Sequence, residues 1–105
     1  MCVVTSQDKK SGRGLRIHQS EVKKFSIINN IMIKQPEDLR NIDFINQIKS
    51  MNADLFIVVA FRKIPKEVYS VPKLGTINLH ASLLPDYRGA APINWALINN
   101  EKVTG

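Results

Sequence analysis

The chain has 105 residues, of which 44% are hydrophobic and 23% charged, with a net charge of +6 and one cysteine. This length fits one small domain, and the composition excludes a wholly disordered chain. Without an apolar run of roughly 20 residues, a secretory signal pattern or a second cysteine, the sequence predicts a cytoplasmic protein.

Positive charge is concentrated near the N-terminus. Residues 1–24 hold six Lys or Arg against Asp8 and Glu21, which gives +4 and leaves +2 for the remaining residues. A basic segment containing the run Gly-Arg-Gly at 12–14 suits a polyanion, because contacts with phosphates are mainly electrostatic. That run lacks the spacing of a phosphate-binding glycine loop. A solvated surface loop is the more ordinary explanation, so the charge suggests nucleic acid without establishing it.

The apolar runs and capping residues in the first half of the chain predict two strands and two helices. A buried strand is expected at Cys2–Thr5 and a short one at Ile31–Lys34. Ser20 is expected to cap the first helix, and Asn41 or Asp43 to begin the second. The apolar positions spaced for one helix face are Val22, Phe25 and Ile28, then Ile45, Ile48 and Met51.

The second half repeats this alternation. Leu55–Phe61 is apolar throughout, which is typical of a parallel strand covered on both faces, and Thr76–His80 predicts another strand. Pro65 and Pro92 suit the first turns of two further helices. The apolar residues of these helices are Val68 and Tyr69, then Ile93, Trp95, Ala96 and Ile98. Strands that alternate with helices indicate an α/β fold with a largely parallel sheet.

Asn78 and His80 form the best candidate for a reactive pair. Side chains two apart on a strand point to the same side, and parallel sheets bind ligands beyond the carboxyl ends of their strands. Histidine exchanges protons near neutral pH, and an asparagine amide can stabilise a developing oxyanion. Acyl transfer to an amine needs both groups. Alone, Asn-x-His is a weak signal, because most such histidines make only local hydrogen bonds.

The loop from Ser82 to Pro92 strengthens the catalytic interpretation. It is small, apolar and held by prolines, so its main chain can bond the edges of a flat ring. Gly89–Ala91 also allows the main chain to approach a ligand closely. Trp95 on the following helix is expected in the core. No cluster of Cys, His or carboxylates has the spacing of a metal site.

The run Asn78–Pro85 resembles the signature of the 10-formyltetrahydrofolate-dependent formyltransferases. Its extension through Tyr87–Trp95 is similar to the branch of that family that acts on methionyl-tRNA. The other matching segments are Thr5–Lys9, 12–14, Gln35–Glu37, Leu55–Phe61 and Glu101–Gly105. The resemblance implies a Rossmann-like formyltransferase fold with a mostly parallel sheet. It also implies formyl transfer from formyltetrahydrofolate to the amine of initiator methionyl-tRNA, in translation initiation.

The same resemblance implies roles for individual residues. Asn78 and His80 match two of three catalytic residues, and Arg13 matches an arginine of an inserted loop that contacts the tRNA acceptor end. The residues that match the folate-lining loop are Ser82, Leu83, Leu84 and Pro85. The other basic residues expected to contact tRNA are Lys9, Lys10 and Arg16. Formyltetrahydrofolate is a co-substrate, no metal is implied, and the complete enzyme is expected to be a monomer.

Parts of the family pattern lie outside residues 1–105. A first strand with a Gly-Thr-Pro turn would precede Met1, and the aspartate that orients the histidine would follow Gly105. A C-terminal barrel-like tRNA-binding domain is also outside these residues. We therefore expect a partial catalytic domain whose strands Cys2–Thr5 and Leu55–Phe61 lack a shared neighbour. This piece is expected to be marginally stable alone and impaired in catalysis.

Two alternatives stay open. A formyltransferase acting on a small amine, such as an amino-sugar nucleotide or glycinamide ribonucleotide, would share Asn78 and His80, and Asn94 with Trp95 also suits the amino-sugar branch. The run at 12–14 and the stretch 89–91 favour the tRNA branch. The other alternative is a non-catalytic relic that binds RNA through its basic loop, because the aspartate is not among these residues.

Overall fold

The computed structural model describes residues 1–11 and 16–105, with only the main chain described for Lys10, Ser11 and Arg16. Its strands are β1 (Cys2–Val4), β2 (Lys9–Ser11), β3 (Arg16–His18), β4 (Met32–Lys34), β5 (Phe56–Val59) and β6 (Thr76–Leu79). Its helices are α1 (Glu21–Ile28), α2 (Ile42–Ser50), α3 (Lys66–Tyr69) and α4 (Pro92–Ile98). Strands and helices alternate along most of the chain, so the α/β prediction is confirmed.

Two parallel strand pairs form the framework. β1 pairs with β4, with Val3 opposite Ile33, and β5 pairs with β6, with Val58 opposite Asn78. All four predicted strands are present, each shorter than predicted, and β5 ends where Ala60 adopts a φ of 45°. In the described part of the chain β1 and β5 belong to different sheets, as expected for strands without a shared neighbour.

Arg62 joins the carboxyl ends of the two parallel pairs. It follows β5, and its guanidinium donates to the carbonyl oxygens of Pro36 and Glu37 at 2.7 and 2.9 Å, just after β4. Because a guanidinium presents its donors in a fixed fork, these two bonds set the position of one loop against the other. The carboxyl ends of β4 and β5 therefore lie at one edge of the fold.

Local sequence signals set the helix ends. The Ser20 hydroxyl accepts the Lys23 amide at 3.2 Å, which confirms it as the cap of α1. Asn41 begins α2, since its side-chain oxygen accepts the amides of the second and third helical residues at 2.9 and 3.1 Å. Pro92 is the first residue of α4, as predicted, whereas Pro65 immediately precedes α3 and does not lie in its first turn.

The core is built around α2. Its side chains Phe44, Ile45 and Ile48 are buried together with Leu39 and Val68. The half-buried residues packed against this cluster are Val4, Phe56, Phe61, Ile64 and Val71. Because Val4 lies on β1 and Phe56 on β5, this cluster contacts both parallel pairs.

The opposite face of β5 and β6 is exposed, which corrects the expectation of a strand covered on both faces. Ile57 and Val59 of β5 lie opposite Ile77 and Leu79 of β6, and all four side chains face solvent. The side chains of β5 alternate between half-buried and exposed. Helix α2 packs only on the side of β5 that carries Phe56. The residues on both faces of β5 are apolar, but only one face is covered by another element.

In α1 and α4 a small residue is buried and the large apolar ones are not, so the prediction that Trp95 lies in the core was wrong. In α1, Val22, Phe25 and Ile28 are exposed, whereas Ser26 is buried and its hydroxyl donates to the Val22 carbonyl at 2.8 Å. The small side chain of Ser26 allows α1 to lie close to β4. In α4, Trp95 is 53% exposed and Ala96 is buried instead. None of the described helices is long and apolar enough to cross a membrane.

Candidate functional site

Asn78 and His80 lie at the carboxyl end of β6. Asn78 is within the strand and exposed, and His80 is the first residue after Leu79 ends the strand and is half-buried. Ligand-binding groups of parallel sheets gather at this position. The pair therefore occupies the place that its spacing predicts.

The imidazole of His80 is held by the loop that follows it. Its Nε2 lies 2.9 Å from the carbonyl oxygen of Tyr87. A carbonyl oxygen only accepts hydrogen bonds, so Nε2 carries the proton in this contact, and in the neutral form of the ring Nδ1 has the lone pair. Nδ1 is therefore the nitrogen able to accept a proton from a substrate. No sequence signal marks this contact, because the acceptor is a main-chain atom.

The loop of residues 82–91 begins as a closed turn. Ser82 is buried, and its hydroxyl donates to the Asp86 carbonyl oxygen at 2.7 Å. The Asp86 amide donates in turn to the Leu83 carbonyl oxygen at 3.1 Å. The exposed members of the predicted folate loop are Leu83, Leu84 and Pro85. Ser82 thus stabilises the turn from inside while apolar side chains stand on its surface.

Tyr87 connects this loop to the end of α4. Its φ of 53° is left-handed, and its hydroxyl donates to the Glu101 carboxylate and accepts the Asn99 amide at 3.0 Å. The hydrogen bond to Glu101 raises the pKa of the Tyr87 phenol, because it favours the protonated form. Tyr87 thus holds His80 with its main chain and α4 with its side chain, a link that sequence reasoning missed.

A cavity of about 340 Å³ borders the same loop. Its lining residues are Leu83, Asp86, Tyr87, Asn100, Glu101, Lys102, Val103 and Thr104. This volume is at the small end of the roughly 300–1,000 Å³ typical of small-ligand pockets. Asn78 and His80 do not line it, so the cavity neighbours the candidate reaction centre and does not contain it.

The basic segment contains a short hairpin, where the sequence indicated only a loop. β2 and β3 pair antiparallel, with Lys9 opposite His18 and Lys10 opposite Ile17. Lys9 and His18 are exposed. Arg13, with the Gly-Arg-Gly run, lies outside the described residues, and the side chains of Lys10 and Arg16 lie outside them too. Because β1 leads into this hairpin at the carboxyl end that it shares with β4, the hairpin stands at the same edge as His80.

Asp8 lies in a polar cluster at the base of the hairpin. Its carboxylate accepts Lys23 Nζ at 2.7 Å on one oxygen and Gln35 Nε2 at 3.0 Å on the other. These hydrogen bonds, the one from Lys23 first, lower the pKa of the Asp8 carboxyl, because both favour its ionised form. No role was assigned to Asp8 from the sequence, because its hydrogen-bond partners lie 15 and 27 residues away along the chain.

Asp8 should make stability depend on acid. Its folded pKa is below the ordinary value of 3.8, so its contribution is complete above that value and is lost as pH falls through the folded pKa. Thermal unfolding from about pH 6 to about pH 3 is the measurement. The midpoint should fall more steeply for the chain than for Asp8→Asn, with Glu21→Gln following the unmodified chain. Parallel curves for the chain and Asp8→Asn would contradict this assignment.

Sequence comparison identifies the class of protein that this fold and loop belong to. A family model described as formyl transferase matches residues 1–105. The chain therefore belongs to the formyl transferase family. The family prediction made from Asn78–Pro85 is confirmed, and so is the α/β fold class.

Individual relatives carry a more specific name. The chain is 55% identical to a methionyl-tRNA formyltransferase of Flavobacterium johnsoniae over 103 residues, which are 98% of this chain and 33% of the relative. It is 56% identical to that of Clostridioides difficile over 98% of the chain and 34% of the relative. The Thermodesulfovibrio yellowstonii protein of the same name is 53% identical over 100% of the chain and 34% of the relative. The chain thus spans about one third of these relatives' length.

Proposed function

We propose that residues 1–105 form part of a catalytic domain that transfers a formyl group from 10-formyltetrahydrofolate to the methionyl amine of initiator tRNA. The observation that carries this proposal is the position of Asn78 and His80 at the carboxyl end of β6, with His80 fixed by the adjoining loop. Membership of the formyl transferase family supports it. The reaction belongs to translation initiation, and the proposal assigns the protein to the cytoplasm.

Asn78 stabilises charge in this mechanism. As the methionyl amine attacks the formyl carbon, the formyl oxygen gains negative charge. The exposed amide of Asn78 donates a hydrogen bond to that oxygen. A single donor of this kind is worth roughly 10²–10³ in rate.

His80 manages the proton. The new C–N bond forms first, and the bond between the formyl carbon and N10 breaks afterwards as the carbonyl is restored, so that one proton passes from the amine to N10. His80 accepts that proton at Nδ1, the nitrogen left with a lone pair by the contact of Nε2 with Tyr87. It then returns the proton to the leaving nitrogen. The fixed ring keeps Nδ1 in place through both transfers.

The loop of residues 82–91 holds the folate. Formyltetrahydrofolate supplies the formyl group, and its flat ring system needs an apolar surface with main-chain groups at its edges. Leu83, Leu84 and Pro85 offer such a surface, because they are exposed on a turn that Ser82 holds from inside. These residues stand directly after His80 in the chain, which keeps the donor next to the reacting pair.

The basic hairpin binds the tRNA. Residues 9–18 hold four Lys or Arg and no Asp or Glu. Phosphate contacts made by such groups position a nucleic acid without reading its sequence. The hairpin and His80 share one edge of the fold, so tRNA bound there would bring its aminoacyl end towards the catalytic pair. An amino-sugar nucleotide or glycinamide ribonucleotide also carries phosphate, but only a few such groups, so four basic residues suit the long phosphate backbone of tRNA better.

A chimera tests the proposal. Residues 1–105 replace the matching third of the Flavobacterium johnsoniae relative, and formyl transfer to initiator methionyl-tRNA is followed with a labelled donor. We expect the chimera to retain most of its parent's turnover on methionyl-tRNA and to leave small amines unmodified. The 105-residue chain alone is assayed in parallel.

Two other results would redirect the assignment. Formyl transfer to an amino-sugar nucleotide in preference to methionyl-tRNA would favour the small-amine enzyme. A chimera that folds like its parent and binds tRNA, yet transfers no formyl group, would favour the non-catalytic RNA-binding alternative.

A further inference from the structure

A polar cluster ties the basic hairpin to the rest of the fold. Asp8 immediately precedes β2, and its two carboxylate oxygens bind Lys23 of α1 and Gln35 after β4. The Gln35 amide also donates to the Ser6 carbonyl oxygen at 2.7 Å. One carboxylate thus connects three segments that are distant in the sequence. We call Asp8, Lys23 and Gln35 the hairpin anchor.

The anchor differs from an ordinary surface ion pair. The Asp8 and Lys23 side chains are 25% and 15% exposed, whereas the nearby pair of Lys24 and Glu21 is far more open to solvent. Exposed pairs contribute little, because water and salt screen them. A shielded carboxylate with two charged or polar donors holds its geometry better. The anchor is therefore suited to fixing the orientation of the hairpin relative to α1 and β4.

A second contact closes the other side of the hairpin. The Thr5 hydroxyl lies 2.9 Å from the Ser20 hydroxyl, and Thr5 is buried. Thr5 comes just before the hairpin and Ser20 just after it. The chain is therefore held together where the hairpin begins and where it ends.

Charge alone makes Asp8 an unexpected neighbour for a polyanion site. The hairpin carries four positive charges, and a carboxylate beside them weakens attraction for phosphates. Removing that carboxylate should strengthen RNA binding if only net charge matters. It should weaken RNA binding if the carboxylate holds the hairpin in its binding direction. These opposite signs allow a decisive experiment.

We propose that Asp8, through Lys23 and Gln35, is a positioning residue that presets the basic hairpin for tRNA. This inference rests on the proposed function, in which the hairpin contacts tRNA. Prepositioning reduces the ordering cost that binding otherwise includes. A lower ordering cost should raise the affinity for tRNA and allow all the basic residues of the hairpin to contact phosphates together.

The test is binding of initiator tRNA to the 105-residue chain, by fluorescence anisotropy over a salt series and without folate. Asp8→Asn should weaken binding by roughly three- to tenfold, the scale of lost preorganisation. The slope of log affinity against log salt should become shallower by about one for each phosphate that the hairpin no longer neutralises. The matched control is Glu21→Gln, which changes net charge equally at an exposed carboxylate and should bind as well as the unmodified chain or slightly better.

Gln35→Ala provides a second, charge-neutral variant. It removes the bonds to Asp8 and Ser6 but keeps the ion pair, so it should also weaken binding. Circular dichroism below the unfolding midpoint selects variants that are folded. If folded Asp8→Asn and Gln35→Ala both bind as tightly as Glu21→Gln, the positioning role is wrong. If the unmodified chain is folded by the same measurement and binds no tRNA, the proposed RNA contact itself fails, while formyl transfer by the chimera is judged separately.

Discussion

Replacing His80 with alanine in the chimera is expected to lower kcat for formyl transfer by roughly 10²–10⁴-fold, the range for loss of a general acid–base group. The imidazole is held on the Tyr87 carbonyl oxygen through Nε2, and Nδ1 is left to accept the proton of the attacking amine. Alanine removes both the proton carrier and the contact that orients it. KM for tRNA should change little, because the basic hairpin is untouched.

The matched control for this substitution is His18→Ala. His18 lies on β3 of the basic hairpin and is exposed, so its loss can raise KM for tRNA but should leave kcat unchanged, because it has no place at the carboxyl end of β6. Steady-state turnover of both variants is compared after thermal unfolding has shown that each is folded. If folded His80→Ala kept turnover within about threefold of the unmodified chimera, His80 would be a structural residue.

Local signals explain the parts of the fold that were predictable. Ser20 and Asn41 were identified as helix starts because a cap depends on amides only two or three residues away. The four strands of the parallel pairs were identified from short apolar runs between helices, but their pairing was not predicted. The position of Asn78 and His80 followed from strand spacing, since alternation fixes which residues share a side.

Tertiary contacts explain the parts that were not predictable. Trp95 and both faces of β5 were expected to be buried, yet Trp95 and Ile57 are exposed. A sequence records that a face is apolar, but not which element packs on it. Here α2 packs on the side of β5 that carries Phe56. In α1 the residue that is buried is Ser26.

The candidate site divides in the same way. Its reactive groups are visible in the sequence as residue types, whereas the contacts that orient them are not. His80 is oriented by the main-chain carbonyl oxygen of Tyr87. Because every residue has such an oxygen, no residue type in the sequence marks the contact. Asp8 depends on Lys23 and Gln35, which no local pattern connects to it. Residue types could therefore be taken from the sequence, whereas the contacts that position them could not.

The largest effect on stability is expected for Ile48→Ala. Ile48 is 3% exposed on α2, at the centre of the small cluster that joins both parallel strand pairs. Deleting a buried aliphatic side chain to alanine costs about 2–5 kcal/mol, since transfer free energy is lost and a cavity remains. We expect a small free energy of unfolding for the chain, because its fold is less compact than usual. Its radius of gyration is 16.2 Å, against roughly 13 Å for a compact domain of this length. The variant should therefore unfold at a much lower urea concentration than the unmodified chain.

Ile42→Ala is the control, because it makes the same change at the first residue of the same helix, where the side chain is 65% exposed. It should cost less than about 1 kcal/mol. Urea unfolding of the 105-residue chain, followed by circular dichroism, gives both free energies. Equal losses for Ile48→Ala and Ile42→Ala would mean that the cluster around α2 does not hold the two strand pairs together. A large loss confined to Ile48→Ala would show that α2 couples β1 to β5, and so couples the strand leading into the basic hairpin to the sheet carrying Asn78 and His80.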